Sequence, residues 1–272
     1  MQHQARKRFG QNFLVDQNII ERIVRSINPL PGERLVEIGP GLGALTCPLL
    51  QQAGELDVIE LDRDIIPKLS LNCGRLGKLR VHQSDVLDFD FGQLASGRNL
   101  RIVGNLPYNI STPIIFHLVE HAHLILDMHF MLQKEVVERL AAQPGGSEYG
   151  RLTIMAQLHF AITPLFLVPP QAFNPQPKVE SAIVRLVPHA TPPCELHSHE
   201  TFAGLVRQAF SQRRKTLHNT LRNLCNDNMI RQAGIDPGQR AQELSLLQFA
   251  RLSNLLHDTS GDKTTKADGE IG

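Results

Sequence analysis

Short apolar runs alternate with amphipathic stretches along the first half of the chain. The apolar runs lie at residues 34–38, 56–59, 79–81, 100–103 and 129–132 and are bounded by Gly, Asp or Asn. Between them, residues 44–52, 64–71 and 113–121 carry apolar positions at helical spacing. Such runs are typical of buried parallel strands, and the helical stretches fit the crossovers that parallel strands require. The pattern predicts a doubly wound α/β sheet.

A helix is predicted before the first of these strands. Asp16 is a suitable N-cap, and the apolar residues at positions 19, 20, 23, 24 and 27 recur at helical spacing. The helix should end at Asn28-Pro29, because a proline disfavours the helical conformation in the residue before it. Residues 1–15, which precede this helix, form a basic arm.

The pattern changes after Gln143. Residues 152–160, 165–168 and 179–187 are predicted strands separated by proline-rich connections, so we expect an antiparallel addition to the edge of the sheet. Residues 191–200 form a linker, and residues 201–256 are typical of several short helices. The predicted division is a catalytic α/β domain at 16–192, a helical domain at 193–257 and a disordered tail at 258–272.

Composition and charge narrow the class of protein. Hydrophobic residues make up 42% of the chain and charged residues 20%, as in a soluble globular protein. The net charge of +1 gives no sign of a nucleic-acid partner, but the charge is unevenly distributed. Cations cluster near the N-terminus and in a C-terminal stretch without Asp or Glu: Arg6, Lys7, Arg8, Arg207, Arg213, Arg214, Lys215 and Arg222. Taken alone, such a run of cations is as consistent with a solvated helix face as with a surface that binds nucleic acid.

Cysteine and histidine spacing indicates neither disulfides nor a metal. The four cysteines are widely separated with no CxxC pair, so we predict no disulfide framework, no zinc ribbon and a reducing cytoplasm. His117 and His121 stand four apart with His123 nearby, but no carboxylate or cysteine joins them at a known ligand spacing, so we expect no metal site. The first residues lack a signal-peptide core, and no window approaches the roughly 18 apolar residues of a membrane span. We therefore expect neither export nor insertion.

Three successive strand ends carry groups that suit a nucleoside. The first strand leads into the glycine turn EIGPGLG, where the backbone can approach a ligand closely. Glu60 follows the second strand, where a carboxylate can accept hydrogen bonds from ribose hydroxyls. Asp85 follows the third strand and could accept a hydrogen bond from an adenine amine, although a simple turn aspartate is the alternative. Because the carboxyl ends of parallel strands meet at one edge, these groups predict an adenosine pocket.

The fourth strand ends in GNLPYNIS, which suits an amine acceptor. The nitrogen of an adenine amine is a poor nucleophile, because its lone pair is delocalised into the ring. The Asn105 side-chain oxygen and the Leu106 carbonyl could accept both N–H hydrogens and aim the lone pair at an electrophilic methyl group. Pro107 stiffens the loop, and Tyr108 offers a ring on which a base can stack.

Several motifs together resemble a known family. The segments RKRFGQNFL, GPGLGALT, NLPYNIS, FNPQPKVESAIVRL and FSQRRKTLHNTL are similar to those of ribosomal RNA adenine dimethyltransferases, specifically the bacterial small-subunit enzymes of the kasugamycin-resistance type. The resemblance runs from Arg6 to about Leu256. It implies a Rossmann-like class I S-adenosylmethionine-dependent methyltransferase fold with a small C-terminal helical domain. It also implies N6,N6-dimethylation of two adjacent adenosines in the 3′-terminal stem-loop of 16S rRNA in the 30S particle, with a late role in small-subunit assembly.

The resemblance also implies roles for individual residues. The family's cofactor contacts match Asn12, Leu14, Gly39, Glu60, Asp85 and Asn105. Its catalytic loop matches Asn105, Leu106, Pro107 and Tyr108, and its second aromatic residue for the target base matches Phe173. Residues 1–15 would then be a cofactor lid, and the cations named above would contact rRNA phosphates. We expect a monomer that acts away from membranes.

Three alternatives remain at this point. A methyltransferase of the related erythromycin-resistance family, acting on large-subunit rRNA, would share the fold and much of the catalytic loop, but RKRFGQNFL and QRRKT argue against it. An assembly factor with secondary catalysis would keep the same motifs. An NAD-dependent oxidoreductase would explain the glycines and Glu60 but not NLPY, and Thr46 stands where the dinucleotide fingerprint requires glycine.

Overall fold

The computed structural model describes residues 12–95 and 97–265. The chain forms two compact units, the first combining Met1–Val137 with Phe160–Pro188 and the second combining Glu138–His159 with His189–Gly272. The observed division differs from the predicted one, because residues 138–159 join the C-terminal helices. Tyr149, Ile154 and Leu158 are buried in the hydrophobic core of the second unit. Because these apolar side chains pack there, their segment belongs to the second unit.

Strands and helices alternate through the first unit and lead into the second. In chain order the elements are β1 (Phe13–Leu14), α1 (Gln17–Ile27), β2 (Arg34–Ile38), α2 (Thr46–Ala53), β3 (Glu55–Glu60), α3 (Ile66–Cys73), β4 (Lys78–Gln83), α4 (Gly92–Ala95), β5 (Leu100–Asn105), α5 (Ser111–Glu120), β6 (Ile125–Gln133), α6 (Lys134–Ala141), α7 (Arg151–Gln157), β7 (Phe160–Val168), β8 (Phe173–Asn174) and β9 (Ser181–Pro188). Short 3-10 turns lie at Val86–Asp88, Ala122–Leu124 and Pro170–Ala172.

Seven strands form one sheet in the order β4-β3-β2-β5-β6-β9-β7. The first five are parallel, and β9 and β7 are antiparallel to their neighbours. The predicted doubly wound sheet and its antiparallel edge are both confirmed. The strand order reverses between β2 and β5, and such a switch point opens a crevice at the carboxyl ends of the strands. β1 and β8 form a separate two-stranded antiparallel sheet.

The predicted first helix is confirmed as α1. Asp16 caps it by accepting hydrogen bonds from the backbone N–H groups of Asn18 and Ile19 at 2.9 and 3.2 Å. Asn28 ends it in the left-handed conformation with φ 49°, which asparagine tolerates better than most residues. The apolar face, which includes Ile20 and Ile27, is buried in the core of the first unit.

The predicted strand at residues 152–160 is wrong. Residues Arg151–Gln157 form α7, and β7 begins only at Phe160. Thr153 explains the helix, since its Oγ1 accepts a hydrogen bond from the Gly150 N–H at 3.0 Å and donates one to the Arg139 carbonyl at 2.6 Å. Such a cap and its tertiary partner override the weak strand preference of a short apolar run.

The C-terminal helices of the second unit surround their own core. They are α8 (His199–Ala209), α9 (Leu217–Leu221), α10 (Asp227–Gln232) and α11 (Leu246–Thr265), with a 3-10 turn at Ala241–Glu243. Phe202 and Phe249 are fully buried there. The backbone of α11 continues to Thr265, although the sequence predicted a disordered tail from residue 258. No helix in residues 12–95 and 97–265 combines the length and apolarity needed to cross a membrane.

A disulfide joins Cys47 to Cys73, which the sequence did not predict. The two residues are 26 positions apart, but the packing of α2 against α3 brings their Cα atoms to 4.9 Å. Cys194 and Cys225 are free. The prediction that the chain contains no disulfide is therefore corrected, because the spacing of cysteines in sequence says little about two helices that pack together.

A buried ionic network lies near the ends at which β5 and β6 begin. Asp127 on β6 accepts hydrogen bonds from Arg101 on β5 at 2.9 and 3.2 Å and from Arg185 on β9 at 3.0 Å. Arg101 also donates to Glu33 at 2.7 Å and to the Ile27 carbonyl at the end of α1 at 2.6 Å. One guanidinium thereby connects α1, β5 and β6. Burial raises the pKa of the Asp127 carboxyl, but the Arg101 hydrogen bonds and charge outweigh it and hold that pKa below its usual value.

Asp127→Ala should lower the free energy of unfolding by about 3 kcal/mol at pH 7, because the buried Arg101 guanidinium loses the carboxylate that accepts two of its hydrogen bonds and keeps Glu33 as an acidic partner. Since the folded pKa of Asp127 is depressed, its stabilisation is present at neutral pH and is lost as the pH falls through that folded pKa. Urea denaturation at several pH values measures both effects. The control is Glu21→Ala, which removes an exposed ion pair with Arg25 and should cost less than about 1 kcal/mol. Equal losses in the two variants would contradict the role assigned to the network.

Candidate active site

A cavity of about 1110 Å³ lies at the carboxyl ends of the parallel strands. It is bounded by the turn after β2, the acids after β3 and β4, the loop after β5 and the segment around β1. Its lining includes every predicted cofactor residue and the whole predicted catalytic loop: Asn12, Leu14, Gly39, Glu60, Asp85, Asn105, Leu106, Pro107 and Tyr108. The switch point between β2 and β5 brings these separate segments together.

The glycine turn after β2 requires glycine for conformational and steric reasons. Gly39, Gly41 and Gly43 have φ values of 67°, 55° and 97°, which L side chains rarely adopt. A Cβ on Gly41 would lie 3.3 Å from the Phe13 ring, and one on Gly43 would lie 2.5 Å from Cys73 Sγ. A Cβ on Gly39 would meet nothing within 4 Å, so this backbone is open to a ligand.

Glu60 ends β3 with its carboxylate at the cavity. The side chain is 8% exposed, and its Oε1 accepts a hydrogen bond from the Asp62 N–H at 2.8 Å. Burial raises the pKa of Glu60, and hydrogen bonds from the Asp62 and Gly41 backbones offset part of that rise. The carboxylate is therefore held by backbone N–H groups of the two turns that follow β2 and β3, both of which line the cavity.

Asp85 serves as a turn residue in the structure. Its Oδ1 accepts a hydrogen bond from the Leu87 N–H at 3.0 Å and caps the 3-10 turn Val86–Asp88. This is the alternative that the sequence left open. The residue also lines the cavity, so a contact with an adenine amine stays a prediction.

The loop after β5 presents two acceptors. Nδ2 of Asn105 donates a hydrogen bond to the Asn12 carbonyl at 3.2 Å, which leaves the amide oxygen as its acceptor. The Leu106 N–H donates to the Met131 carbonyl at 3.2 Å and ties the loop to β6. Among the residues that the structure describes, no hydrogen bond uses Asn105 Oδ1 or the Leu106 carbonyl oxygen. The loop can therefore receive two hydrogens of a ligand.

Tyr108 lies half-buried at the cavity. Its Oη is 2.7 Å from Oγ of Ser181, the first residue of β9. Burial raises the pKa of the Tyr108 phenol, and the hydrogen bond with Ser181 offsets part of that rise. The phenol is therefore protonated at neutral pH and serves as a ring with a fixed hydroxyl rather than as a base.

Phe173 does not line this cavity. It lies on β8 opposite Leu14 of β1, is only 3% exposed and belongs to the core of the first unit. Together β1 and β8 carry Asn12, Phe13 and Leu14 to the cavity. The structure thus places Phe173 beside Leu14 in the two-stranded sheet, and its predicted contact with a target base stays a prediction.

Sequence reasoning assigned no role to Glu37, which the structure places at the cavity. Glu37 is 2% exposed, and its Oε2 accepts a hydrogen bond from Thr46 Oγ1 at 2.6 Å. Burial raises its pKa to about 7, the Thr46 hydrogen bond lowers it and the nearby Glu60 charge adds to the rise. An acid within the apolar strand LVEI was the signal that could have found it.

The five C-terminal cations predicted to contact rRNA all lie exposed on the second unit. They are Arg207 at the end of α8, Arg213, Arg214 and Lys215 in the α8–α9 connection, and Arg222 after α9. Within the described part of the chain, none of them forms an ion pair with an acid. Arg6, Lys7 and Arg8 lie outside the described residues.

The histidines considered as metal ligands pack with aromatic rings. His117 contacts the Phe89 carbonyl at 3.1 Å, and its ring lies 5.1 Å from that of His121. In residues 12–95 and 97–265, no group of three or more His, Cys, Asp or Glu side chains is arranged to hold a metal.

Comparison with known proteins identifies the family. A model of ribosomal RNA adenine dimethylases matches residues 2–258. The chain belongs to this family. A ribosomal RNA small subunit methyltransferase A of Pseudomonas aeruginosa is 57% identical over 263 residues, covering 96% of this chain and 98% of the relative. A protein of the same name from Chromohalobacter salexigens is 54% identical, covering 95% of this chain and 93% of the relative.

Solved structures agree with this membership of the dimethylase family. A dimethyladenosine transferase from Plasmodium falciparum has a TM-score of 0.76 at 28% identity, covering 92% of this chain and 98% of that one. The 23S rRNA methyltransferase ErmE has a TM-score of 0.69 at 26% identity, covering 90% and 100%. The dimethylase therefore has the class I S-adenosylmethionine-dependent methyltransferase fold, and it is an rRNA adenine methyltransferase with S-adenosylmethionine as methyl donor.

Glu37 should make the stability of the cofactor-free dimethylase fall as the pH rises. Its folded pKa of about 7 exceeds the ordinary value of 4.5, so the folded protein retains a proton that the unfolded chain releases. The destabilisation begins near pH 4.5, grows to pH 7 and then stays constant, reaching on the order of 3 kcal/mol. Glu37→Gln should remove this pH dependence in urea denaturation at pH 5 and pH 8.

An exposed carboxyl serves as the control for this experiment. Glu120→Gln, at the end of α5, should leave the difference in stability between pH 5 and pH 8 as it is in the wild type. Parallel pH profiles for the wild type and Glu37→Gln would show that the Glu37 carboxyl does not bind the extra proton.

Proposed function

We propose that the protein transfers methyl groups from S-adenosylmethionine to N6 of two adjacent adenosines in the 3′-terminal stem-loop of 16S rRNA. The product is N6,N6-dimethyladenosine, and the reaction is a late step in small-subunit biogenesis. The observation that carries the proposal is Asn105, whose amide is oriented by the Asn12 carbonyl beside the glycine turn. Gly104, the residue before it, pairs with Ile38, the residue before that turn.

The residues of the cavity fit S-adenosylmethionine. The open backbone at Gly39 admits a ligand that a side chain would exclude. The Glu60 carboxylate suits the two ribose hydroxyls, and Asp85 follows the adjacent strand, where an adenine amine would lie. Asn12 and Leu14 would cover the ligand from the β1 side. When bound, this cofactor supplies a methyl group made electrophilic by a sulfonium.

Asn105 and Leu106 position the amine of the target adenine. In the first transfer the Asn105 amide oxygen and the Leu106 carbonyl each accept one N–H hydrogen, and two acceptors in fixed positions favour a pyramidal nitrogen. In the second transfer the monomethylated amine has one N–H left for one of these acceptors, and each transfer releases one proton to water. The lone pair then points along the line of methyl transfer. Because the amine becomes acidic only as its new bond forms, positioning rather than a strong base accounts for the rate.

Pro107 and Tyr108 complete the acceptor pocket. Pro107 fixes the backbone of the loop, whose turn closes with a hydrogen bond from the Ile110 N–H to the Pro107 carbonyl at 3.1 Å. The Tyr108 ring is the surface on which the target adenine stacks. Phe173 is proposed as the second aromatic contact for the base.

The identity of the rRNA is supported by the degree of similarity. Relatives named for the small subunit are 57% and 54% identical to the chain, while the 23S rRNA methyltransferase ErmE is 26% identical. Large-subunit rRNA is therefore the less favoured substrate. The proposed partner is the 30S particle or its precursor, approached by a monomer in the cytoplasm.

The five exposed cations of the second unit are proposed to hold the RNA. Cations without acidic partners are free to neutralise phosphates, and phosphate contacts supply much of the affinity for RNA. The N-terminal cations Arg6, Lys7 and Arg8 are proposed to add to this surface. Neither group takes part in the methyl transfer itself.

Asn105→Ala should lower the single-turnover rate of methylation by about two orders of magnitude, because it removes a preorganised transition-state contact. Its affinity for the RNA particle should change little, since many phosphate contacts elsewhere provide that affinity. The measurements are tritiated methyl transfer to 30S subunits that lack the modification, nucleoside analysis for dimethyladenosine, and filter binding.

Asn99→Ala is the matched control for this variant. Asn99 is exposed and precedes β5, whereas Asn105 ends the same strand, so both variants lose one amide at β5. The control should keep the wild-type rate. A near wild-type methylation rate for Asn105→Ala would show that the loop has a purely structural role.

Neutralising Arg213, Arg214 and Lys215 to Gln should weaken binding of 30S subunits and reduce the slope of log affinity against log salt by about 2. Affinity for S-adenosylmethionine, measured by calorimetry, should stay the same. The control replaces Arg231, Arg240 and Arg251, three other exposed arginines of the second unit, by Gln. If the slope of log affinity against log salt falls by the same amount in both triple variants, net charge rather than this surface determines RNA binding.

A further inference from the structure

Ser181 is a buried polar residue at the cavity side of the sheet that the proposed reaction does not use. It has no exposed surface and begins β9, where it pairs with Gln133 of β6 on one side and Val168 of β7 on the other. Its backbone is therefore fixed by two neighbouring strands. Its hydroxyl, held on this backbone, is the group that faces Tyr108 Oη at 2.7 Å.

Tyr108 itself lies outside the sheet and has no ladder partner of the kind that fixes Ser181. Tyr108 is half-buried and lies in the turn between β5 and α5. Its own backbone carbonyl accepts a hydrogen bond from Ser111 Oγ at a long 3.3 Å. A ring in such a loop can rotate about its side-chain torsions unless its far end has a partner. The hydroxyl at that far end is the atom that contacts Ser181.

We propose that Ser181 is a positioning residue for methyl transfer, which holds the Tyr108 ring in the orientation that receives the target adenine. The inference rests on the proposed stacking role of Tyr108 and adds what fixes the ring. Stacking needs only an aromatic face, which phenylalanine would also provide. The tyrosine hydroxyl is therefore explained by its bond to a rigid partner, since a buried hydroxyl without one is destabilising.

The first experiment tests the hydrogen bond in the cofactor-free protein. The chain contains only two tyrosines, Tyr108 and Tyr149, so tyrosine labelled with carbon-13 at Cζ gives two resonances. Tyr149 lies in the second unit, where its hydroxyl donates to the Leu244 carbonyl at 2.8 Å, and it serves as an internal reference. Tyr149→Phe assigns the two signals.

Ser181→Ala should shift the Tyr108 resonance and raise the pKa of its phenol, because the lost hydrogen bond held that pKa down. The Tyr149 resonance should not move. An unchanged Tyr108 signal in the folded variant would overturn the proposal at this step, whatever the enzyme's activity.

The second experiment is a double-mutant cycle in single-turnover methylation of unmodified 30S subunits. Ser181→Ala and Tyr108→Phe each remove one side of the same hydrogen bond, and each should slow methyl transfer by about 3- to 10-fold. The double variant should be no slower than the slower single variant. Dissociation constants for the 30S subunit and for S-adenosylmethionine should stay at wild-type values. If the double variant were slowed by the product of the two single-variant factors, the proposal would be overturned.

Two further variants separate the possible failures. Tyr108→Ala removes the ring, so a wild-type rate in this variant would reject the stacking role of Tyr108. A slow Tyr108→Ala with a wild-type rate in both Ser181→Ala and Tyr108→Phe would reject only the role of Ser181. Ser253→Ala is the matched control, since it makes the same change at a fully buried serine of the second unit and should leave the rate unchanged. If Ser181→Ala fails to fold, Tyr108→Phe still tests the same bond from the loop side.

Discussion

The parallel pairing of β2 with β5 is the constraint on which the site depends. Gly104 makes this pairing possible, because a Cβ there would lie 2.7 Å from the Ile38 carbonyl oxygen. The register sets Ile38 opposite Gly104, so the glycine turn and Asn105 leave the sheet side by side. A residue with a side chain at position 104 would separate the half of the cavity that suits a nucleoside from the half that suits an amine.

Polar groups on either side of this pairing fix the sheet at both ends of its strands. Asp127 and Arg101 bind β5 to β6 and to α1 away from the cavity. Glu37 and Thr46 bind β2 to α2 at the cavity itself, and burial keeps the Glu37 pKa near 7. The loop after β5 thus projects from a sheet that is fixed at both ends, as the proposed positioning of an amine requires.

The acceptor loop itself is oriented by contacts from distant parts of the chain. Asn105 is held by the Asn12 carbonyl in the segment around β1, and Tyr108 is held by Ser181 on β9. Both contacts join residues more than 70 positions apart. The short motif therefore provides the chemical groups. The orientation of the Asn105 and Tyr108 side chains comes from segments far away in sequence, one before the motif and one after it.

The sequence by itself determined the doubly wound sheet, its antiparallel edge, helix α1 and the turns that line the cavity, because periodicity, capping and glycine requirements are local. It also identified the family through motifs that span most of the chain. The tertiary structure alone decided that residues 151–157 are helical, that Cys47 meets Cys73, that Phe173 is buried and that Ser181 contacts Tyr108. Each of these features depends on which elements, distant in sequence, pack together. The hydrophobic pattern predicts that a residue is buried, but it does not predict which residue it contacts.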